Sequence, residues 1–232
     1  MLAKNRSRIQ AVLEIALIVV CLVFALFAML QFFPSKIFGD GVGRFQAISV
    51  LLEHGKLSTV RYSMVGPLFS LPLWFLGKLY QTSEWWCVRY NLIIFAIGLM
   101  LFYVLLKDRV EQGLIRKFIL ILILASMFPN HLDTYYGEVF TAMLVGVGIM
   151  AAVIGPRLAG WIAIVLGVVN TPATILGLGL MVIKLIVANK RLRYVLAVIA
   201  ALALIAAEAW IRRGSPLNSG YENDAGNRKS VV

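Results

Sequence analysis

A succession of long apolar segments constrains this chain more than any other feature of its sequence. The first covers residues 11–33, and others fall at 64–80, 86–106, 118–129, 138–154, 159–175, 176–187 and 194–211. Hydrophobic residues make up 61% of the chain, and the mean hydropathy is +0.88. Lipid rather than water must therefore solvate most of the folded protein.

The pattern of these segments favours transmembrane helices. Backbone groups in hydrocarbon must form hydrogen bonds within the protein, and the apolar runs are continuous rather than alternating. A straight span needs about 20 residues, so the segments at 64–80, 118–129 and 176–187 are short. The sequence predicts an all-α integral membrane protein, a multi-helix transmembrane bundle with about 7–8 hydrophobic segments.

The net charge of +11 does not indicate a nucleic-acid partner, because the cations lie in short loops between apolar segments. Membrane lipids with anionic head groups, together with the topology of the bundle, explain them better. We expect the basic clusters at 4–8, 107–117 and 190–193 to face the cytoplasm. The first apolar run is 23 residues long, longer than a signal-peptide core, which predicts an uncleaved signal anchor with a cytoplasmic N-terminus.

This topology depends on the segment 64–80, which contains Pro67 and Pro72. Proline disrupts a helix, so we expect this short segment to re-enter the side that it left. The loops around Asp40, at 131–138 and after Trp210 then share the outer face. If the segment instead spans the membrane fully, the two later basic clusters move to the outside.

The outer loop after the first span is predicted to carry a short amphipathic helix at residues 42–54, ended by Gly55. Its apolar side contains Phe45, Ile48, Leu51 and Leu52. We expect its polar side to contain Arg44, Gln46, Ser49 and Glu53.

Asp40 is the first candidate for chemistry, because it lies between Gly39 and Gly41 at the start of this loop. The glycines leave the backbone free to turn the carboxylate toward a cleft, where it could act as a general base. The alternative is a solvated aspartate that caps the helix beginning near Val42.

Further candidates lie beside later spans. Arg89 opens the span at 86–106, where it is either a phosphate ligand or an interface arginine within an aromatic belt. The segment 128–138 brings His131, Asp133 and Glu138 together with two tyrosines, and ionisable groups at membrane depth usually face a cavity or a partner. His131 alone is more typical of a structural histidine than of a catalytic one.

Other polar residues in apolar runs are predicted to be structural. Glu14 and Glu208 each lie near a probable helix end, where we expect either snorkelling to the interface or pairing with a nearby arginine, for example Arg212 with Glu208. The segment 170–174 predicts a bend in which threonine hydroxyls meet freed carbonyls. Neither the two cysteines nor any other spacing predicts a disulfide framework or a metal site, and metal dependence stays open.

Taken in order, these motifs resemble the polyprenyl-phosphate-dependent membrane glycosyltransferases of the GT-C class, especially the protein mannosyltransferase and aminoarabinose transferase branch. The resemblance covers roughly residues 10–210. It rests on Asp40 after the first span, Leu51-Leu52-Glu53-His54-Gly55, Tyr62 to Pro67, Val88-Arg89-Tyr90 and Tyr135-Tyr136-Gly137-Glu138.

The resemblance implies a transmembrane domain over residues 1–211 and a glycosyltransferase that moves a hexosyl or mannosyl group from a lipid-linked sugar to an unknown acceptor hydroxyl. It implies Asp40 as the base, Arg89 as the ligand of the lipid phosphate and Glu138 as part of the pocket. Arg61, His131 and Tyr62 are expected to help bind the substrate. The implied location is the outer face of a bacterial inner (plasma) membrane, and the lipid-linked sugar is the donor substrate rather than a cofactor.

The chain departs from the family in two respects. The family often shows two nearby acids in its first loop, whereas the next acid after Asp40 is Glu53. Family members are usually far longer, so residues 212–232 read as a polar tail or a truncated outer loop. A truncated copy, a chain that needs a C-terminal half or partner subunit, and an inactive remnant stay open, as do a non-catalytic membrane scaffold and a small transporter.

Overall fold

The computed structural model describes residues 2–32, 34–155 and 157–220, with side chains from residue 9 onward. These ranges contain helices and no strand, which confirms the predicted all-α class. The α-helices are α1 Leu2–Gln31, α2 Asp40–His54, α3 Val65–Phe69, α4 Leu71–Leu79, α5 Ser83–Val88, α6 Tyr90–Leu106, α7 Gln112–Leu124, α8 Glu138–Ile154, α9 Arg157–Asn170, α10 Ile175–Asn189 and α11 Val195–Arg213.

Four helical segments in the described ranges are long and apolar enough to cross a membrane. They are Ile9–Gln31, Ser83–Leu106, Pro172–Asn189 and Leu192–Arg213, and α8 and α9 are shorter apolar helices. The protein is therefore an integral membrane protein. The expected 7–8 hydrophobic segments exceed the number of helices able to span, because α8 and α9 contain only 17 and 14 residues and the segment 64–80 is broken into two short helices.

The first helix stands apart from the rest of the bundle. The apolar part of α1 is 0% buried, and its principal neighbour is α7. Glu14 pairs with Arg116 of α7, with Oε2 and Nε 2.6 Å apart. The predicted pairing of Glu14 with an arginine is confirmed.

Helices α8 and α9 form the tightest pair in the bundle. A Cβ atom on Gly160 would lie 2.4 Å from the backbone nitrogen of Ala152, and one on Gly148 would lie 2.8 Å from the carbonyl oxygen of Gly160. Small residues of this kind let two helix backbones approach closely within a membrane. The pairing sets α8 and α9 side by side and fixes their ends near the candidate site.

The predicted proline-rich segment folds as two short helices, α3 and α4, that are interrupted at Ser70. The hydroxyl of Ser70 donates to the carbonyl oxygen of Pro67 at 2.7 Å, and Pro72 lies in the first turn of α4. The break is confirmed, and neither helix alone is long enough to span. The re-entrant path and the outer-face position of the neighbouring loop stay predictions.

Helix α2 begins at Asp40, two residues before the predicted start at 42. It ends at Gly55 as predicted, with Gly55 at φ +64° and its N–H donating to the carbonyl of Leu51. The predicted polar face is wrong for Arg44, which is only 7% exposed. Arg44 is buried because Asn170 of α9 accepts its hydrogen bond and Glu138 of α8 balances its charge.

The C-terminal helix α11 continues through Arg212 and Arg213, two residues beyond the predicted boundary of the transmembrane domain at 211. Residues 214–220 follow as a turn in which Arg213 Nε donates to the carbonyl of Asn218 at 2.6 Å. Most of the predicted tail, residues 221–232, lies outside the described residues.

Candidate functional site

Asp40 lies beside two other side chains that the sequence singled out. Its carboxylate oxygen Oδ1 is 3.5 Å from Nη2 of Arg61, and the Asp40 side chain is 60% exposed. The same Arg61 nitrogen donates to the hydroxyl of Tyr62 at 2.5 Å, and Tyr62 also forms a hydrogen bond with Asp40. We call Asp40, Arg61 and Tyr62 the loop cluster.

A second arginine lies beneath the loop cluster. The guanidinium carbon of Arg44 is 5.0 Å from the centre of the Tyr62 ring, and that of Arg61 is 4.8 Å from it. Both distances are within the range of cation–π attraction. The tyrosine ring thus contacts one buried and one partly exposed guanidinium.

The charge of Arg44 is balanced by acids and dipoles around it. Burial lowers the pKa of the Arg44 guanidinium, while the negative charge of Glu138 acts most strongly in the opposite direction. Arginine remains protonated in proteins despite such a shift. Arg44 is therefore a fixed positive charge under the loop cluster, and Glu138, the exposed first residue of α8, is its main counter-charge.

Asn170 joins four separate parts of the chain under this site. Its Oδ1 accepts from the backbone N–H of Gly66 at 2.9 Å and from Nη1 of Arg44 at 3.4 Å. Its Nδ2 donates to the carbonyl of Gly137 at 3.0 Å and to the hydroxyl of Thr141 at 2.9 Å. Because Asn170 is 1% exposed, these bonds are unscreened by water and hold α2, α3, α8 and α9 in register.

The end of α11 fixes the loop that carries Arg61 and Tyr62. Arg212 donates to the carbonyls of Ser58, Val60 and Tyr62 at 2.7–2.8 Å. Glu208 pairs with Arg212 at 2.5 Å, which confirms the predicted pair. Loop 58–64 therefore has a defined path although it contains no regular secondary structure.

Glycines allow the close approach of the surrounding segments. Gly39 has φ +58°, and a Cβ there would lie 2.4 Å from the hydroxyl oxygen of Tyr136. A Cβ on Gly137 would lie 2.5 Å from Nη2 of Arg44. The glycine beside Asp40 thus provides both an unusual backbone angle and space for a tyrosine.

Two tyrosines at the site have a pKa above the ordinary value for a phenol. Burial raises the pKa of Tyr135, whose hydroxyl lies 2.5 Å from that of Ser70. Burial, followed by the hydrogen bond with Asp40, raises the pKa of Tyr62. Both groups therefore act as neutral hydrogen-bonding phenols at neutral pH.

The structure brings some of the predicted site residues together and separates others. Glu138 interacts electrostatically with Arg44, which lies beneath the loop cluster. The ring of His131 is 6.5 Å from the ring of Tyr136, which packs on Gly39. Arg89 lies at the junction of α5 and α6, 1% exposed. Its guanidinium carbon is 3.3 Å from the centre of the Trp85 ring, and it also donates to the Trp85 carbonyl.

The sequence did not single out Arg44 or Asn170 as members of the site. The charge of Arg44 predicts a position on the polar face of its helix, and Asn170 is the first residue of a predicted bend, so neither pattern indicates a site residue. The spacing of Gly41, Arg44 and Ile48 at intervals of three and four residues marks one helix face, and all three are buried. That spacing was the available signal.

Two cavities are described in the structure, and neither is lined by Asp40. The smaller, of about 750 Å³, lies between α2, α4 and α5 and is lined in part by Phe45, Lys78 and Trp85. The larger lies among α8, α9, α10 and α11. In the described part of the chain, no group of three His, Cys, Asp or Glu side chains could hold a metal ion.

Comparison with known proteins gives no assignment: no family model, no curated protein and no solved structure matches the chain. Any assignment of function must therefore rest on the site itself. The structure and site define a helical integral membrane protein with an exposed carboxylate held by an arginine and a tyrosine.

Proposed function

We propose that this protein is a glycosyltransferase that moves a sugar from a polyprenyl-phosphate donor to an acceptor hydroxyl. The observation that carries the proposal is the 3.5 Å contact between the exposed carboxylate of Asp40 and the guanidinium of Arg61. This contact places a base and a cation in one exposed site, and a substrate bound there must separate the pair, because in an inverting displacement the acceptor hydroxyl and the leaving phosphate lie on opposite sides of the anomeric carbon. The resemblance of the motif order to GT-C glycosyltransferases supplies the reaction class.

In the proposed reaction, Asp40 takes the proton of the acceptor hydroxyl as its oxygen attacks the anomeric carbon. The new bond joins the acceptor oxygen to that carbon, and the bond between the carbon and the phosphate oxygen breaks with inversion. The electron pair leaves with the polyprenyl phosphate, whose negative charge Arg61 stabilises. General-base catalysis of this kind is worth about 10² to 10⁴ in rate.

The arrangement favours Arg61 over Arg89 as the nearest phosphate ligand. The side chain of Arg61 is 20% exposed and lies next to Asp40. Arg89 is buried against Trp85. In the proposal, Arg89 either positions the start of α6 or contacts the lipid phosphate at a distance from the base. Glu138 and His131 line the surrounding pocket.

The remaining parts of the proposal concern location and completeness. The site faces the outer side of a bacterial inner (plasma) membrane, and the N-terminus is cytoplasmic. A partner subunit completes the acceptor site. These assignments follow from the distribution of basic loops and from the family resemblance.

Transfer of radiolabelled sugar from polyprenyl-phosphate donors, in membranes that contain the chain, tests the proposal. Asp40→Asn keeps the size of the side chain but removes the base, so we expect transfer to fall by about 10² or more. The matched control is Asp108→Asn, in an exposed loop between α6 and α7. Arg61→Lys should retain more transfer than Arg61→Gln, because it keeps the charge while losing the planar fork.

Unchanged transfer in Asp40→Asn would remove Asp40 as the base. Transfer absent from the wild-type chain, even beside added candidate C-terminal partners, would favour the non-catalytic scaffold. If the wild-type chain lacks transfer activity, binding of the donor would indicate an incomplete enzyme, and absence of donor binding would indicate a scaffold.

A further inference from the structure

The larger cavity lies at the opposite end of the bundle from Asp40. Helix α9 runs from Arg157, which lines this cavity, to Asn170 under the candidate site. Helix α11 runs from Tyr194 at the cavity to Arg212 at the loop cluster. The cavity therefore opens at the other face of the same helices.

The walls of this cavity are apolar and its volume is large. It measures about 1190 Å³, above the range of about 300–1,000 Å³ that is typical of small-molecule sites. Its walls include Ile149, Ile162, Leu196, Ala200 and Leu204. Ile164 and Val165 line the cavity and also belong to the packed core of α9, α10 and α11. The interior suits long hydrocarbon chains.

The lining of the cavity is strongly cationic. Four cations line it, Arg157, Lys184, Arg191 and Arg193, and no acidic residue does. None of the ion pairs found among the described residues involves these four side chains. The Arg193 guanidinium lies 5.7 Å from the centre of the Tyr194 ring. Because positive charges without acidic partners repel each other, the arrangement is electrostatically complementary to an anion.

Lys184 and one pair of aromatic residues also favour an anionic ligand in this cavity. Lys184 lies within the membrane-spanning segment that ends at Asn189, about 7 Å along the helix from its end. A charge at such depth needs a partner or a route to the head groups. The rings of Trp161 and Tyr194 are 5.7 Å apart in the same cavity, and these residue types typically lie at head-group level.

We propose that this cavity binds an anionic phospholipid. The phosphodiester lies among Lys184, Arg191 and Arg193, and the acyl chains lie along the apolar walls formed by α9, α10 and α11. A free phosphate ion would use the cations alone and leave the apolar volume without a function. The lipid is therefore a bound component at the face opposite Asp40, and its binding does not depend on the proposed transferase activity.

Native mass spectrometry tests the proposal on the full chain in nanodiscs that contain phosphatidylglycerol and phosphatidylcholine in equal amounts. We expect the wild-type protein to retain phosphatidylglycerol preferentially. Arg191→Gln/Arg193→Gln should lower that preference by about fivefold for each arginine. The matched control, Lys107→Gln/Arg109→Gln, removes two cations from another basic loop and should leave it unchanged.

A cavity-filling variant separates a lipid site from general attraction to charge. Ala200→Trp keeps all four cations but fills the apolar volume, so bound phosphatidylglycerol should fall. Ala207→Trp, at an exposed position of α11 outside the cavity lining, is the control. Inorganic phosphate in excess should not displace the lipid.

Equal retention of the two lipids by the wild-type protein would overturn the proposal. Wild-type retention by Ala200→Trp would also overturn it, because binding would then need only charge. Helix content measured by circular dichroism identifies a variant that fails to fold. If either Arg191→Gln/Arg193→Gln or Ala200→Trp fails to fold, the other variant still decides the outcome.

Discussion

The carboxylate of Glu208 accepts a hydrogen bond from the backbone N–H of Met64 at 2.7 Å. Its other oxygen accepts from the hydroxyl of Ser63 at 2.8 Å, and Arg212 completes the arrangement. The side chains of Arg212 and Glu208 are only 2% and 18% exposed. Helix α11, the last of the described helices, is thus part of the architecture that holds Arg61 and Tyr62 beside Asp40.

Glu208→Gln should destabilise the protein markedly. Removal of one partner from a buried ion pair leaves an uncompensated charge and typically costs about 3–5 kcal/mol. Thermal unfolding in detergent measures the loss, and limited proteolysis should show new cleavage in loop 58–64. The matched control is Glu53→Gln, which breaks the pair with Lys78, whose side chains are 41% and 58% exposed, and should cost about 0.5 kcal/mol or less. Equal losses of stability in the two variants would contradict the role of Glu208 in fixing loop 58–64.

Asn170→Ala should loosen four segments at once. It leaves the N–H of Gly66 and the carbonyl of Gly137 without their bonds to this side chain, and each unsatisfied buried group costs about 1–3 kcal/mol. Asn189→Ala is the control, because Asn189 is exposed and bonds only its own helix at Leu185. We expect a change within about 0.5 kcal/mol there. A Tm for Asn170→Ala as high as that of the control would show that the network contributes little.

Gly39→Ala should cost more than Gly55→Ala, although both glycines have positive φ angles. Gly39 has φ +58° and ψ −139°, whereas Gly55 has φ +64° and ψ 17° in the left-handed helical region. The first conformation costs a non-glycine residue about 1–3 kcal/mol, and its Cβ would also meet the Tyr136 hydroxyl. Adding Tyr136→Phe should recover only the part due to that contact. Denaturant unfolding of the variants measures each contribution.

Alkaline pH should destabilise the protein through Tyr135. Its pKa is raised by burial in the folded state, so the unfolded chain releases the phenolic proton first as the pH rises. Stability from this group is therefore present below about pH 10 and is lost as the pH rises toward the folded-state pKa. Tyr135→Phe should flatten the fall in Tm above pH 10, while Tyr80→Phe, at a 66% exposed position, should leave the slope unchanged. An unaltered slope in Tyr135→Phe would assign the fall to other groups.

The sequence predicts the helices of this fold better than it predicts their contacts. Continuous apolar runs report burial in lipid directly, so α8 at 138–154 agrees with the predicted segment at both ends. The positive φ of Gly55 is likewise a local property, and the end of α2 follows from it. By contrast, the 7–8 predicted hydrophobic segments exceed the four described helices long enough to span, because α8 and α9 contain only 17 and 14 residues.

The sequence identifies several residues of the site but does not predict how they are arranged. Asp40, Arg61 and Tyr62 were each named, yet their contact depends on Arg212 and Glu208, more than 140 residues further along the chain. Arg44 was assigned to the wrong face because a charged side chain is expected to point outward unless its buried partners are known. Those partners, Asn170 and Glu138, belong to other helices.

The bonds of Asn170 also impose an order on biosynthesis. The Asn170 side chain lies 126 residues after Arg44 and 104 residues after Gly66. A ribosome must therefore complete α9 before α2 and α3 can be joined to it, and Glu208 must follow before loop 58–64 is clamped. Until then, Asp40 belongs to a nascent chain in which its partner Arg61 is not yet held in place. The site is therefore assembled only when synthesis of the described helices is nearly complete.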